Sequence, residues 1–250
     1  MPSSITIIQI TDLHILAEPN KTMAGVNTEK TFQQIVEHIH KTYPSIDLLL
    51  VTGDLAQDPC RLSYQKIFET LKKYPTRTIC LPGNHDDFNL MQQIIANKQI
   101  NCDKRVQFKN WQVISLNSKK PGTTGGFINS SELIFLANML ESNPTLYTLI
   151  AMHHHPIPTN SVWMDTMTIE NSHELFAIIN HYPQVKALCY GHIHQETETI
   201  KDNRLILGTP STCFQFKPLS INYAIDNNKP GYRALTLYAN GSVESSVFRL

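Results

Sequence analysis

Five short apolar runs in this 250-residue chain each end in a histidine, an aspartate or an asparagine. Residues 5–10 lead to Asp12 and His14, and 48–51 lead to Gly53-Asp54. Residues 79–81 lead to Gly83-Asn84-His85-Asp86, and 149–152 to His153-His154-His155-Pro156. Residues 187–190 lead to Gly191-His192-Ile193-His194. Apolar runs of this length read as strands. In open sheets, ligands bind in the crevice outside the strand ends. Strands that all finish in metal-type side chains must converge. That requirement makes residues 1–250 a single domain and predicts one shared metal site.

Amphipathic stretches separate the runs. Phe32, Ile35, Val36 and Ile39 have helical spacing over 28–42. Asp58-Pro59 reads as an N-cap followed by proline at the first helical position, opening a helix over 59–73. Asn129 with Glu132, and Asn171 with Glu174, have capping-box spacing ahead of two further helices. Alternating strands and helices predict an α/β fold. Beyond His194 the segments 196–200, 204–208, 232–239 and 243–249 are short and β-like. This C-terminal part, roughly 196–250, is expected to complete a second, partly antiparallel sheet. Asn240-Gly241 suggests a two-residue hairpin turn. Residues 117–126 and 217–231 read as the long loops.

Composition narrows the partners. Lysine plus arginine balance aspartate plus glutamate, giving a formal net charge of +0. Broad electrostatic attachment to nucleic acid or to an anionic membrane is therefore not expected. The five cysteines form no CxxC pair. They fit a reducing compartment, and with no signal-peptide pattern or membrane-length apolar run the expectation is a soluble cytoplasmic protein. Edge strands in the second sheet leave a monomer or a homodimer open.

Singly, each motif is weak, because Gly-Asp after a strand is commonly a turn. Together they supply Asp12, His14, Asp54, Asn84, His154, His192 and His194. Seven donors exceed one tetrahedral ion and suit two ions sharing a ligand. Imidazole-rich donors select iron, manganese, zinc, cobalt or nickel over magnesium or calcium. Two such ions roughly 3.5–4 Å apart stabilise the attacking and leaving oxygens of an in-line displacement. With only two carboxylates among the donors, positive charge is left to attract a phosphoester.

These blocks, in this order, resemble the calcineurin-like metallophosphoesterases, whose pattern is D-x-H, GD, GNH[DE], H and GHxH. The resemblance implies a four-layer αββα sandwich of two mixed sheets flanked by helices. The segments TDLHI, TGDLAQD, LPGNHD, HHHPIP, CYGHIHQE and TPSTCFQFKP, with the ending PGYRALTLYANGSV, are similar to the bacterial class III 3′,5′-cyclic-AMP phosphodiesterases. That likeness runs from about Ile5 to Leu250. The main departures lie in Ser118–Gly125.

The resemblance implies hydrolysis of 3′,5′-cyclic AMP to 5′-AMP by a hydroxide shared between two transition-metal ions, iron first, with manganese, zinc or cobalt as alternatives. It implies a first ion on Asp12, His14, Asp54 and His194, and a second on Asp54, Asn84, His154 and His192. Asp54 would bridge. His85 would protonate the departing 3′ oxygen, with Asp86 orienting it, and His14, Asp54, Asn84, His85 and His194 would face the substrate. Of the three adjacent histidines, His154 is expected to be the ligand, because it stands two residues before Pro156 and alternation turns His153 and His155 the other way. By its place just after the His-Pro loop, Trp163 is a candidate for the wall of a base pocket, with packing an equally good explanation. Two further readings are open: a phosphodiesterase of broader specificity, acting on glycerophosphodiesters or 2′,3′-cyclic nucleotides, and a non-catalytic cyclic-nucleotide-binding protein.

Overall fold

A computed structural model describes residues 4–250. In chain order the elements are β1 (Ile5–Ile10), α1 (Thr28–Thr42), β2 (Leu48–Thr52), α2 (Arg61–Leu71), β3 (Thr78–Leu81), α3 (Phe88–Ile95), β4 (Ile100–Asn101), β5 (Arg105–Phe108), β6 (Trp111–Ser115), α4 (Ser130–Ser142), β7 (Tyr147–Ala151), α5 (Val162–Asp165), α6 (Ser172–Ile179), β8 (Val185–Tyr190), β9 (Thr197–Lys201), β10 (Arg204–Gly208), β11 (Gln215–Phe216), β12 (Ile225–Asp226), β13 (Gly231–Leu237) and β14 (Val243–Arg249). One six-stranded sheet has the order β14-β13-β1-β2-β3-β4, and the other β5-β6-β7-β8-β10-β9. The centre of each is parallel and the edges include antiparallel pairs.

Strand parity explains the layers. Ile5, Ile7, Leu48, Leu50, Ile79 and Leu81 of the first sheet pack with Val113, Leu149, Ala151, Ala187 and Cys189 of the second. Their neighbours of opposite parity, such as Ile8, Ile10, Leu49 and Val51, face α1, α2 and α3. Ile150, Leu188 and Tyr190 face α4 and α6. Burial on both faces is why these strands read as continuous apolar runs rather than alternating ones. The result is the expected four-layer αββα sandwich.

Polar groups pin the two sheets beneath the strand ends. Gln9 is fully buried and its Nε2 donates to Thr52 Oγ1 (2.9 Å) and to the Tyr190 carbonyl (3.2 Å), while Thr209 Oγ1 donates to its Oε1 (2.6 Å). Arg233 of β13 donates across the interface to the carbonyl of Gly208 (2.7 Å) and to that of Thr197 (3.2 Å). Each donor buried here has its acceptor, as burial of polar atoms demands.

Several local expectations change. β9 and β10 join the second sheet, but β13 and β14 join the first, beside β1. The C-terminal part is therefore divided between the sheets, because β13 finds its partner in the N-terminal strand. Asn240-Gly241 does not form a two-residue turn: only Gly241 is left-handed (φ 87), and Tyr238 N–H bonds to the Ser242 carbonyl (3.0 Å). The left-handed pair is Asp202 (φ 49) and Asn203 (φ 59), between β9 and β10. α2 begins at Arg61, with Cys60 as its cap. Asn129 and Asn171 do stand at N-cap positions without a side-chain capping bond. Asn171 instead braces Ile128 through both its amide atoms, at 3.0 and 2.8 Å. No helix among the described residues is long and apolar enough to cross a membrane.

The interior layer between the sheets sets the stability. Leu149→Ala, at a fully buried position, should cost about 2–5 kcal/mol. Ile134→Ala, at a position 61% exposed, should change stability by no more than about 0.5 kcal/mol. Urea denaturation of the two variants measures both.

Candidate metal centre

β1, β2 and β3 of one sheet and β7 and β8 of the other end at the same edge of the sandwich. Asp12 and His14 follow β1, Asp54 follows β2, Asn84 follows β3, His153 to His155 follow β7, and His192 and His194 follow β8. Five of these residues have left-handed backbones: Asp12 (φ 53), His14 (46), Asp54 (50), His192 (66) and His194 (47). That region is uncommon for residues with a Cβ and costs about 1–3 kcal/mol at each position unless the surroundings enforce it. Here they do. Asp12 N–H bonds to the Gly53 carbonyl (3.0 Å), His14 N–H to the Asp54 carbonyl (2.9 Å), and His192 N–H to Asp12 Oδ2 (3.0 Å).

Two glycines permit the approach. A Cβ on Gly53 would collide with the His153 ring and the Gly83 backbone, and one on Gly191 with Thr11 and the Asp12 carboxylate. The glycine ahead of the aspartate and the one ahead of the histidine pair are thus there for close contact as well as for turning.

The imidazoles are oriented from behind. His153 Nδ1 donates to the Thr52 carbonyl (2.8 Å) and His194 Nδ1 to the Phe214 carbonyl (2.8 Å). His14 Nδ1 meets Gln57 Oε1 at 2.8 Å. Bonding at Nδ1 leaves Nε2 with its lone pair directed into the site. His14 Nε2 and His194 Nε2 are 3.1 Å apart. Two acceptor nitrogens facing each other at that separation need a cation or a proton between them.

The carboxylates complete two groups. Asp12 Oδ1 is 3.4 Å from His194 Nε2. Asp54 Oδ2 is 3.7 Å from His14 Nε2 and 3.4 Å from His153 Nε2, so one carboxylate serves both sides. Asn84 Oδ1 is 3.1 Å from His153 Nε2. His192 Nε2 and His154 Nε2 are both buried without a partner among the described residues, and with His153 they lie close enough together to hold one ion. Unpartnered buried nitrogens beside histidines and a carboxylate suit a cation, and the donors present fit transition-metal ions.

Electrostatics agrees. Burial lowers His14 to about 4, outweighing the pull of Asp54. Burial and the neighbouring histidines hold His192 well below the ordinary range. Both rings are therefore neutral and ready to bind a metal. Burial tends to raise Asp54, but His153 and His14 outweigh it and hold the carboxyl well below its usual value. Burial also opposes a charged His153, yet Asp54 lifts it to about 9, so its Nε2 carries a proton that a bound metal would have to displace.

Two expectations meet a different geometry. His153, rather than His154, reaches Asp54 and Asn84. The reason is parity: Leu149 and Ala151 face the layer between the sheets, and His153 continues that side. His154 continues the helix-facing side of Ile150 and Met152. Its Nδ1 meets Ser118 Oγ (2.9 Å), and its ring lies 4.7 Å from that of His192. The rings of His153 and His154 touch at 4.8 Å and both lie against His192, so alternation does not separate them; His153 is the one that reaches Asp54. His155 stacks on His192 at 5.6 Å, behind it.

The second concerns Asp86. Its carboxylate accepts from the backbones of Leu55 (3.1 Å), Ala56 (3.1 Å) and Gly83 (2.9 Å) and from the Tyr64 hydroxyl (3.1 Å). It locks the loops after β2 and β3 together. His85 is oriented instead by the Gln57 carbonyl, to which its Nδ1 donates (3.1 Å). Its backbone N–H bonds to Asp54 Oδ1 (2.9 Å). Gln57, which aims both His14 and His85, had no signal in the sequence beyond its place after Gly-Asp.

A pocket of about 200 Å³ opens over these groups. His14, Asp54, Asn84, His85, His192 and His194 line its floor, and Trp163, Phe214, Phe216 and Tyr223 with three methionines line its walls.

Residues 5–196 match the family model described as calcineurin-like phosphoesterase. The chain is 39% identical over 246 residues to a 3′,5′-cyclic-nucleotide phosphodiesterase of Nostoc sp., covering 98% of this chain and 92% of that protein. It is 37% identical over 247 residues to the 3′,5′-cyclic adenosine monophosphate phosphodiesterase CpdA of Escherichia coli, covering 98% and 90%. Among solved structures it shares its fold with a dimetal phosphatase from Danio rerio, at TM-score 0.68 and 11% identity over 100% of this chain and 99% of that one.

Gly53→Ala tests the packing of the site. The residue has φ 93 and no room for a methyl group. The variant should lose at least about 1 kcal/mol, lowering Tm by about 2–4 °C for each kcal/mol in a chain of this size. It should also bind less metal, because the His153 ring is displaced. Calorimetry and metal analysis read the two effects.

Proposed function

The chain belongs to the calcineurin-like phosphoesterase family, and from that membership we propose that it is a metal-dependent phosphodiesterase converting 3′,5′-cyclic AMP to 5′-AMP. The observation that carries this reading is end-to-end similarity, at 39% and 37% identity, to the Nostoc and Escherichia coli phosphodiesterases. The donors of the site fit the chemistry that those names require.

In this reading Asp12, His14, Asp54 and His194 hold one ion. Asp54, Asn84, His153 and His192 hold the other, with His153 taking the place expected for His154. Iron is the first choice, with manganese, zinc and cobalt suited to the same donors. When bound, the ions supply Lewis acidity toward the phosphate oxygens and acidify water at neutral pH.

The protein's own groups do the rest. Asn84 adds a neutral oxygen, so the charge of the ions is not cancelled by a third carboxylate. His85 has Nδ1 bound to the Gln57 carbonyl, which leaves Nε2 for the substrate. Carrying a proton there, it donates to the 3′ oxygen as the P–O3′ bond breaks. One water is consumed, its oxygen is added to phosphorus, and 5′-AMP leaves with a free 3′ hydroxyl. The five free thiols suit action in the cytoplasm.

The broader-specificity reading uses the same floor and differs only in what the walls accept. The non-catalytic reading gives no reason for His85 to be aimed as it is.

Removing metal with a chelator should abolish cyclic-AMP turnover, and adding transition metal back should restore it. His85→Ala should lower kcat by about 10²–10⁴-fold while keeping its metal. His153→Ala should lose both metal and turnover, and His154→Ala should lose far less of each. Comparing kcat/KM for cyclic AMP, 2′,3′-cyclic AMP and a glycerophosphodiester tests the substrate, and 3′,5′-cyclic AMP should rank first. A loaded enzyme that cleaves the other diesters and leaves 3′,5′-cyclic AMP intact would contradict the reading.

A further inference from the structure

The walls of the pocket differ in chemistry from its floor. An aromatic chain begins at the metal-side histidines and runs outward. The His194 ring stacks on Phe216 at 4.2 Å. Phe216 meets Trp163 edge-on at 5.0 Å and Tyr223 at 5.5 Å, and Trp163 meets Tyr223 at 5.3 Å. These rings come from two places: Trp163 from α5, and Phe216 and Tyr223 from the hairpin built on β11 and β12. Ser220 N–H and Ser161 Oγ, 3.4 Å apart, tie the two segments together.

Two features of this wall have no use in the protein alone. Tyr223 is 58% exposed, leaving a large aromatic side chain in solvent at the pocket. The Trp163 indole nitrogen is shielded from solvent and has no acceptor among the described residues. A buried donor without an acceptor is costly, and natural structures seldom carry one without a reason. Among the described residues, Asp54 is the only carboxylate lining the pocket. The wall therefore suits a flat, neutral, aromatic group.

We propose that Trp163, Phe216 and Tyr223 form a base-recognition wall that selects phosphodiesters carrying a nucleobase. This rests on the phosphodiesterase reading, which puts the phosphate on the floor. The group attached to that phosphate then lies one ring away from His194, against Phe216. A purine stacks on this wall through its flat face. The floor is indifferent to what the phosphate carries, so discrimination between nucleotide and simple diester comes from these three side chains.

A matched pair of ligands tests this: 5′-AMP and ribose 5-phosphate have the same phosphate and sugar and differ in the base. The chain has 2 tryptophans. Trp111 is fully buried, so ligand-dependent fluorescence reports Trp163, and Trp163→Phe serves as the control that should abolish the signal. In a titration of the metal-loaded protein, 5′-AMP should quench the fluorescence and bind more tightly than ribose 5-phosphate, measured in parallel by calorimetry. Tyr223→Ala, at an exposed position, should weaken 5′-AMP binding about tenfold, the scale of one base–aromatic stack. It should lower the ratio of kcat/KM for cyclic AMP to that for glycerophosphoethanolamine, a diester without a ring, by a similar factor.

Equal binding of the two ligands, or no binding of either, overturns the proposal. So does a Tyr223→Ala variant that loses activity on both diesters in parallel, since that reports a structural role. A wild-type protein that cleaves simple diesters but not cyclic AMP defeats the substrate reading alone. The wall is then judged on the binding difference between 5′-AMP and ribose 5-phosphate.

Discussion

Two buried carboxylates, Asp12 and Asp54, stand where the sheets meet, and the rest of the site answers to them. Taking a carboxylate out of water costs several kcal/mol, and only a close positive partner offsets it. The lysines and arginines are elsewhere. The groups that reach these carboxylates are histidines, with His194 3.4 Å from Asp12 and His153 3.4 Å from Asp54. Those imidazoles are in turn held from behind by backbone carbonyls, which point their second nitrogens at each other. Negative oxygens and opposed lone pairs together make a cavity that calls for cations. The left-handed backbones at five of its residues are tolerated because carboxylate, glycine and carbonyl contacts fix each turn.

The same arrangement divides the labour of the pocket. Its floor is built from strand ends anchored in two sheets, so its geometry is stiff. Its wall is built from a one-turn helix and a two-stranded hairpin outside the sheets. Chemistry on the phosphate belongs to the floor, and recognition of what the phosphate carries belongs to the wall. A fold of this kind can keep one reaction and change substrates by altering loops.

Much of this was legible in the sequence because its causes are local. The runs before Asp12, Asp54, Asn84, His153 and His192 are apolar on both faces because both faces are buried, and they mark the strands directly. The helix over 28–42 was readable from four apolar residues at helical spacing. What could not be read locally depended on partners far along the chain. β13 belongs to the first sheet because β1 is its neighbour, and neither strand states that pairing. The choice of His153 required knowing which side of β7 faces the other sheet. Gln57 aims two histidines from a position that looks like any loop residue. Asp86 stands beside His85 in the sequence, yet its four donors are Leu55 and Ala56 after β2, Tyr64 of α2, and Gly83.

The most direct test of the assignment is an anomalous-diffraction map of crystals of the metal-loaded protein. Two metal peaks roughly 3.5–4 Å apart, bridged by Asp54 and with His153 Nε2 on the second, are the predicted result. A single peak, or a second ion bound by His154 with His153 turned away, would contradict it.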